Sequence, residues 1–353
     1  MRLDRVGSKG VGYALTAALL FGVGAPAAKP FLSDTSPQLV AGLLYLGSGT
    51  GLLLYWLGRR RSREANEAPF GRTDLPWLAG AVLFGGVVGP LLLMAGLART
   101  PASATSLLLN LEGVFTAGLA WLVVREHVHR RIVLGMLAIV AGGVLLSWEG
   151  RVAWGGLAGS VLVAGACLAW AVDNNLTQRI SASDPVQITL LKGLVAGATN
   201  AALALLIGAQ WPAAPVLLGA MVVGFLSYGV SLVLYVRALR ELGTARTGAY
   251  FSLAPFIGAA LAIALWREPV TVPFLLATLL MALGLWLHLT ERHEHAHTHE
   301  ALEHAHAHRH DAHHRHAHGP DDPPGEPHTH PHQHQPLTHS HPHYPDIHHR
   351  HPH

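Results

Sequence analysis

Apolar and polar positions alternate along this chain on a long scale. Runs of roughly 20 mostly apolar residues, the length a helix needs to cross a bilayer, occupy residues 10–31, 38–58, 75–97, 102–124, 132–148, 157–177, 186–208, 215–236, 247–266 and 272–290. The separators are brief and turn-like, as in Ser33-Asp34-Thr35-Ser36-Pro37 and Gln210-Trp211-Pro212. Consecutive runs are therefore predicted to form antiparallel helical hairpins. The pattern predicts an all-α integral membrane protein, a bundle of ten transmembrane helices followed by a polar tail. The first run is too long for a signal-peptide core and lacks a small-residue cleavage site, so it is expected to remain as a span.

Composition sharpens this picture. Of 353 residues, 50% are hydrophobic and only 13% charged, against about 25% charged in a soluble domain. The single cysteine, Cys167, excludes an internal disulfide framework and a thiolate metal cage. A net charge of +3 would suit nucleic acid, but the basic residues sit in short clusters between apolar runs. The expected partner is therefore the lipid bilayer and not nucleic acid. Fifteen Lys and Arg residues fall in the N-terminus and alternate loops (Arg2, Arg5 and Lys9; Arg59, Arg60, Arg61, Arg63 and Arg72; Arg125, Arg130 and Arg131; Arg179; Arg237, Arg240 and Arg246). The opposite loops hold three, Arg99, Arg151 and Arg267. Positive residues accumulate on the cytoplasmic side, so both termini are expected in the cytoplasm of a multi-pass protein of a bacterial-type inner membrane.

An internal repeat appears at an offset of 142 residues. Leu111-Glu112-Gly113-Val114-Phe115 aligns with Leu253-Ala254-Pro255-Phe256-Ile257, and Arg125-Glu126 with Arg267-Glu268. Five spans per copy is an odd number, so the second copy must enter the membrane from the opposite side, an inverted-topology repeat. The organisation predicted is a first five-helix repeat over residues 1–150, a second over 151–291, and a tail over 292–353.

At these segments, Ala104 to Phe115 ending at Arg125-Glu126, and Gly248 to Phe256 ending at Arg267-Glu268, the chain resembles the drug/metabolite transporter superfamily, specifically its EamA-type ten-span group. It departs from the usual pattern at Gly113, where proline is common, and at Arg125 and Arg267, where glycine usually precedes the glutamate. The resemblance covers roughly residues 10–290 and implies a carrier, whose substrate the family leaves open.

Ionisable residues inside a bilayer are costly and therefore functional candidates. Glu112 lies midway along the fourth span, Asp173 in the sixth, Lys192 in the seventh and Lys29 near the outer end of the first. Trp170, Asn174 and Thr177 fall along one helical stripe with Asp173 beside it. Thr189, Thr199 and Asn200 on span seven and Ser227, Ser231 and Tyr235 on span eight are further polar positions; cavity lining and interhelical hydrogen bonding are both open to them. Glu112, Asp173, Asn174, Lys192, Trp170 and Tyr250 are the candidate substrate or coupling-ion residues, with Lys192 as counter-ion. Pro26, Pro90 and Pro255 mark possible helix breaks, and Gly47/Gly51, Gly85/Gly89 and Gly193/Gly197 are small-residue pairs suited to close packing.

The tail carries 23 of the 26 histidines. His293, His295, His297 and His299, then His304, His306, His308 and His310, and later His339, His341 and His343 alternate with other residues. In an extended chain such alternation puts rings on one side, where several can share a zinc, nickel, cobalt or copper ion. Pro323-Pro324 divides two histidine-rich blocks, and a composition that cannot build a core predicts disorder without metal. A pH-sensing tail is a second reading, because imidazoles near pKa 6.5 would turn it cationic. His293-Glu294-His295-Ala296-His297 fits a metalloprotease motif only by low-complexity coincidence, Asn175-Leu176-Thr177 is a glycosylation acceptor in the wrong place, and His127 and His129 share the tail's spacing.

No phosphate-cradling loop occurs, so ATP hydrolysis is not expected. The sequence points to a non-enzymatic secondary transporter that needs no cofactor, with a homodimer as a candidate assembly. Two substrates are open: a divalent transition metal exported from the cytoplasm and fed by the tail, or an organic metabolite or drug with a tail that only senses or buffers metal. A membrane-anchored metal store is a third reading.

Overall fold

The computed structural model describes residues 3–61, 71, 74–119, 130–147, 154–178, 180, 184–242, 244–290, 294–299, 302–308, 328–334 and 337–342. Arg125-Glu126, His127, His129, His293, His310 and His343 lie outside the described residues.

Helices account for the described membrane part: α1 (Leu3–Ala28), α2 (Pro37–Arg61), α3 (Leu75–Ala81), α4 (Gly89–Leu97), α5 (Ala102–Leu108), α6 (Leu111–Leu119), α7 (Arg130–Ser147), α8 (Trp154–Gln178), α9 (Pro185–Leu206), α10 (Ala214–Gly224), α11 (Ser231–Leu242), α12 (Thr244–Phe251), α13 (Ala254–Trp266) and α14 (Val272–Leu289). Among the described residues, seven stretches are long and apolar enough to cross a membrane, at Lys9–Leu32, Pro37–Gly58, Leu75–Leu97, Arg130–Ser147, Leu157–Thr177, Pro185–Leu206 and Ala214–Ala238. Each coincides closely with a run read from the sequence. Ala254–Trp266 and Val272–Leu287 are shorter apolar helices. The bundle is inside out by soluble standards: Leu206 is 82% exposed, Leu54 72% and Val272 70%, whereas Asp173, Lys192 and Asn200 are buried. That inversion suits hydrocarbon and not water.

Local signals explain where the helices start. Pro185 follows Asp184, whose carboxylate accepts from the Val186 amide at 2.9 Å. Thr271 accepts from the Phe274 amide at 3.3 Å ahead of Pro273, and Ser36 accepts from the Leu39 amide at 3.3 Å beside Pro37. Each pairs a capping oxygen with a proline whose missing N–H costs the first turn nothing.

Two expected continuous spans are broken. The fourth divides into α5 and α6 at Leu109-Asn110, and the ninth into α12 and α13 at Ser252-Leu253. The breaks lie about 142 residues apart, at equivalent points of the repeat. Asn110 supplies a local reason for the first, since its amide donates to the Leu107 carbonyl at 2.8 Å, an alternative to the helical ladder. A second matched pair lies in spans three and eight, where Val82–Val88 and Phe225–Val230 are π-helical.

Packing relies on small residues. Along the α2–α9 seam a Cβ on Gly42 would come within 2.7 Å of the Ala201 amide nitrogen, and one on Gly49 within 2.5 Å of that of Leu194. From the other side, Gly193 and Gly197 face the backbone of Gly49 and Leu46 in the same way. At the α2–α10 crossing, Gly47 lies against the Met221 carbonyl and Gly224 against that of Leu44. Close backbone approach replaces the hydrophobic drive that lipid cannot supply.

One end of the bundle is tied by polar bonds. Glu268 accepts from the amides of Ala102 at 2.8 Å and Ser103 at 2.9 Å, capping α5 from 166 residues away. Lys29 donates to the carbonyls of Leu97, at the end of α4, and of Thr100; its role is therefore to satisfy helix-end carbonyls. Trp266 donates to the Pro26 carbonyl at 3.1 Å. Arg267, just before Glu268, has φ 52°, in the left-handed region, which accounts for the glycine usual there in the family pattern. Arg267→Gly is expected to stabilise the protein by up to about 1 kcal/mol, read as a higher thermal midpoint in detergent.

Within the tail, the described residues form short extended pairs. β1 (Glu294–His299) pairs antiparallel with β4 (Leu337–Pro342), and β2 (Leu302–His308) with β3 (His328–His334). Alternating sequences are compatible with extended pairing even without a core.

Candidate functional site

The site begins at the π-helical stretch of span three. The Gly89 amide bonds to the Phe84 carbonyl instead of that of Gly85, and Pro90 has no N–H to offer. The Gly85 carbonyl is thus left without a helical donor, and two side chains satisfy it: the Tyr45 hydroxyl at 2.7 Å and the Trp170 indole N–H at 3.0 Å. Pro90 also deprives the Gly86 carbonyl of its usual partner, and the Asn200 amide takes that place at 3.0 Å. Spans two, three, six and seven meet at these two carbonyls, which makes the expected break at Pro90 a hydrogen-bonding hub.

The bare face of the same stretch accommodates the charge. A Cβ on Gly85 would overlap the Asp173 carboxylate, and one on Gly89 would come within 2.7 Å of the Trp170 indole nitrogen. Asp173, 5% exposed, pairs with the Lys192 ammonium, 8% exposed, and its other oxygen accepts from the Thr177 hydroxyl at 3.0 Å. The expected counter-ion relation between α8 and α9 is therefore present, and the two charges cancel locally.

Glu112 occupies a different position. It lies in the first turn of α6, just past the break in span four, and accepts from the Asn174 amide at 2.8 Å. An acid in a helix's first turn is favoured by the backbone dipoles there. Glu112 is half-buried and Asn174 exposed, so this pair opens onto accessible space, unlike Asp173–Lys192.

Beside these groups runs a cluster of aromatic rings. Phe21 meets Trp170 edge-on at 6.4 Å, Tyr228 at 5.9 Å and Phe251 at 5.3 Å. Tyr45 lies 5.7 Å from Tyr228, and Tyr235 4.6 Å from Phe251. Tyr250, named from the sequence, is half-buried and, among the described residues, has no ring contact; its neighbour Phe251 joins the cluster instead. Ser231 donates to the Ala17 carbonyl at 2.8 Å and so ties α11 to α1, whereas Thr199 bonds back to the Val195 carbonyl within α9. Sequence reasoning missed Phe21, Tyr45, Tyr228 and the Gly85 and Gly86 carbonyls. Aromatic residues in an apolar span carry no distinguishing local signal, although Gly85-Gly86 ahead of Gly89-Pro90 did mark a backbone irregularity.

Among the described residues no group of three or more His, Cys, Asp or Glu side chains is gathered so as to hold a metal ion. Asp173, Lys192, Glu112, Asn174 and Trp170 do converge on one region of the bundle, through α6, α8 and α9.

Comparison with known proteins agrees with this architecture. The model of the EamA-like transporter family matches the chain twice, over residues 8–148 and 157–290. An uncharacterized transporter from Methanothermobacter thermautotrophicus (strain Delta H) is 30% identical over 292 residues, covering 77% of this chain and 84% of that protein. A crystal structure of a protein shares the fold with a TM-score of 0.59 at 17% identity, covering 79% of this chain and 95% of that one.

Proposed function

The chain belongs to the EamA-like transporter family, and on that footing we propose that it is a secondary-active carrier of a small organic solute bearing a cationic or hydrogen-bond-donating group. The observation that carries this reading is the Glu112–Asn174 pair at the break in span four, half-buried and exposed respectively, one turn of α8 from Trp170, which meets the aromatic cluster through Phe21. A carboxylate beside aromatic faces suits an organic cation. Asp173 is already neutralised by Lys192, which makes Glu112 the group left to bind solute or a coupling proton.

Two copies of a five-span unit, inserted in opposite senses, would alternate access by rocking about the midplane. The matched breaks in spans four and nine support this, since discontinuous helices in equivalent positions mark carrier sites. The excess of Lys and Arg in alternate loops supports an inner-membrane protein with cytoplasmic termini.

The test is uptake of tetraphenylphosphonium and ethidium, as aromatic cation probes, into proteoliposomes under an imposed pH gradient. Glu112→Gln is expected to reduce flux about tenfold or more, the effect of losing a charged contact of about 1.5 kcal/mol. Unchanged flux would remove Glu112 from the pathway. A second reading, export of a divalent transition metal, is favoured by the histidine-rich tail. Zinc, nickel or cobalt flux that falls when the chain ends at Arg292, with no flux of the organic cations, would put it first.

A further inference from the structure

Polar ties join the two family-matched halves at one end of the bundle, and they come from neighbouring residues. The Glu268 carboxylate accepts from the amides of Ala102 and Ser103 at 2.8 and 2.9 Å, and the Trp266 indole N–H donates to the Pro26 carbonyl at 3.1 Å. Arg267 stands between them with φ 52°, a left-handed turn that ends α13 and sends Glu268 toward α5. Lys29 works on the same connection from the first half, since its ammonium holds the carbonyls of Leu97 and Thr100. A cation thus meets the carbonyl end of α4 and an anion the amide end of α5, the sign that each helix end favours.

This closed end lies far from the accessible Glu112–Asn174 pair. Gly159 of α8 packs against the turn after α4, where a Cβ would run into the Thr100 hydroxyl. Asn174 lies further along the same helix, about 22 Å from Gly159 at 1.5 Å per residue, out of a hydrocarbon thickness of about 30 Å. α5 connects the two places. Its first amides are gripped by Glu268, and it ends at the Leu109-Asn110 break, just before Glu112. Between those points Ser106 lies against Gly258 of α13, where a Cβ on the glycine would come within 2.7 Å of the serine hydroxyl. The hydroxyls of Thr105 and Ser106 are buried there and make no hydrogen bond. Unsatisfied buried hydroxyls are unfavourable, so α5 is held in its seat from its end by Glu268 more than by polar bonds along its length.

We propose that Glu268 is a positioning residue of transport: it latches the second half of the chain to the start of α5, and its release is the step that opens this end of the bundle. The reading of the chain as an alternating-access carrier underlies this assignment. While Glu268 holds the two amides, solute at Glu112 reaches one side only. Once it lets go, α5 pivots at the Ser106–Gly258 contact, which no hydrogen bond from Ser106 ties, and the break ahead of Glu112 swings the other way. Trp266 stiffens the latch by holding α13 to α1.

The test uses the full chain in lipid nanodiscs, in a Cys167→Ser background, with nitroxide labels on Arg99→Cys and Val270→Cys, exposed positions on the two sides of the latch. One short distance is expected for the latched form. Glu268→Gln keeps the size of the side chain but loses the charge and one acceptor oxygen. It should raise the ratio of a longer, open distance to the short one about tenfold, as expected for weakening hydrogen bonds to a charged group. Trp266→Phe, which removes only the N–H, should move the ratio the same way by less. In proteoliposomes Glu268→Gln is expected to change maximal tetraphenylphosphonium flux severalfold while KM stays within about twofold, the split of a residue that sets a conformational step. Label distances that respond to neither substitution would overturn the proposal, and so would a loss of flux with the labels still latched. The distance measurement needs no solute, so it decides the latch even if the organic cations are not carried and the carrier reading fails on its own test.

Discussion

Asp173→Ala should cost about 3–5 kcal/mol of stability, because it leaves the Lys192 ammonium buried without its counter-charge. Lys192→Met should cost a comparable amount by stranding the Asp173 carboxylate. The informative variant is the double one. Asp173→Asn with Lys192→Met removes both charges while keeping an oxygen within reach of the Thr177 hydroxyl, and it should regain most of the thermal midpoint lost by either single change. Thermal unfolding of the three purified proteins in one detergent measures the cycle. If the double variant is as unstable as the singles, the pair is not an isolated ion pair and other partners share its charge. Transport by a stable double variant would show that the pair holds α8 to α9 and takes no part in coupling.

Gly224→Val should abolish folded protein. A Cβ at that position runs into the Leu44 carbonyl, and Gly47 meets the Met221 backbone in the same crossing; backbone cannot step aside as a flexible side chain can. Overpacking costs about 1–3 kcal/mol where side chains can adjust, and here the helices themselves would have to separate. Gly113→Ala is the matching control, since nothing lies within 4 Å of a Cβ there. It should be neutral or stabilising by up to about 1 kcal/mol. The readout is the yield of monodisperse protein by size-exclusion chromatography. Normal yield for Gly224→Val would mean that α2 and α10 do not pack in this way.

Much of this was readable before any coordinates. Span boundaries follow from long apolar runs, which depend on length and composition alone. Asp173, Lys192 and Glu112 were conspicuous because charge is scarce in such segments, and the small-residue spacing of Gly193 and Gly197 pointed to a packing face. What escaped depended on distant partners. Nothing near Glu268 indicates that its carboxylate caps α5, and Lys29 looked like a candidate for chemistry when its work is to satisfy the carbonyls of Leu97 and Thr100. The break at Leu109-Asn110 contains neither glycine nor proline and had no such marker, whereas Pro255, in the first turn of α13, did mark the break at Ser252-Leu253.

The glycine-lined seam between α2 and α9 has a mechanical consequence. Helices in backbone contact have no compliant layer of side chains between them, so they cannot shear past one another without first lifting apart. They can turn slightly about their line of contact at much smaller cost. Because α2 lies in the first family match and α9 in the second, this seam would be the fulcrum of the rocking motion proposed above: a stiff post about which one half would tip against the other, with the helices around Glu112 moving through the longer arc.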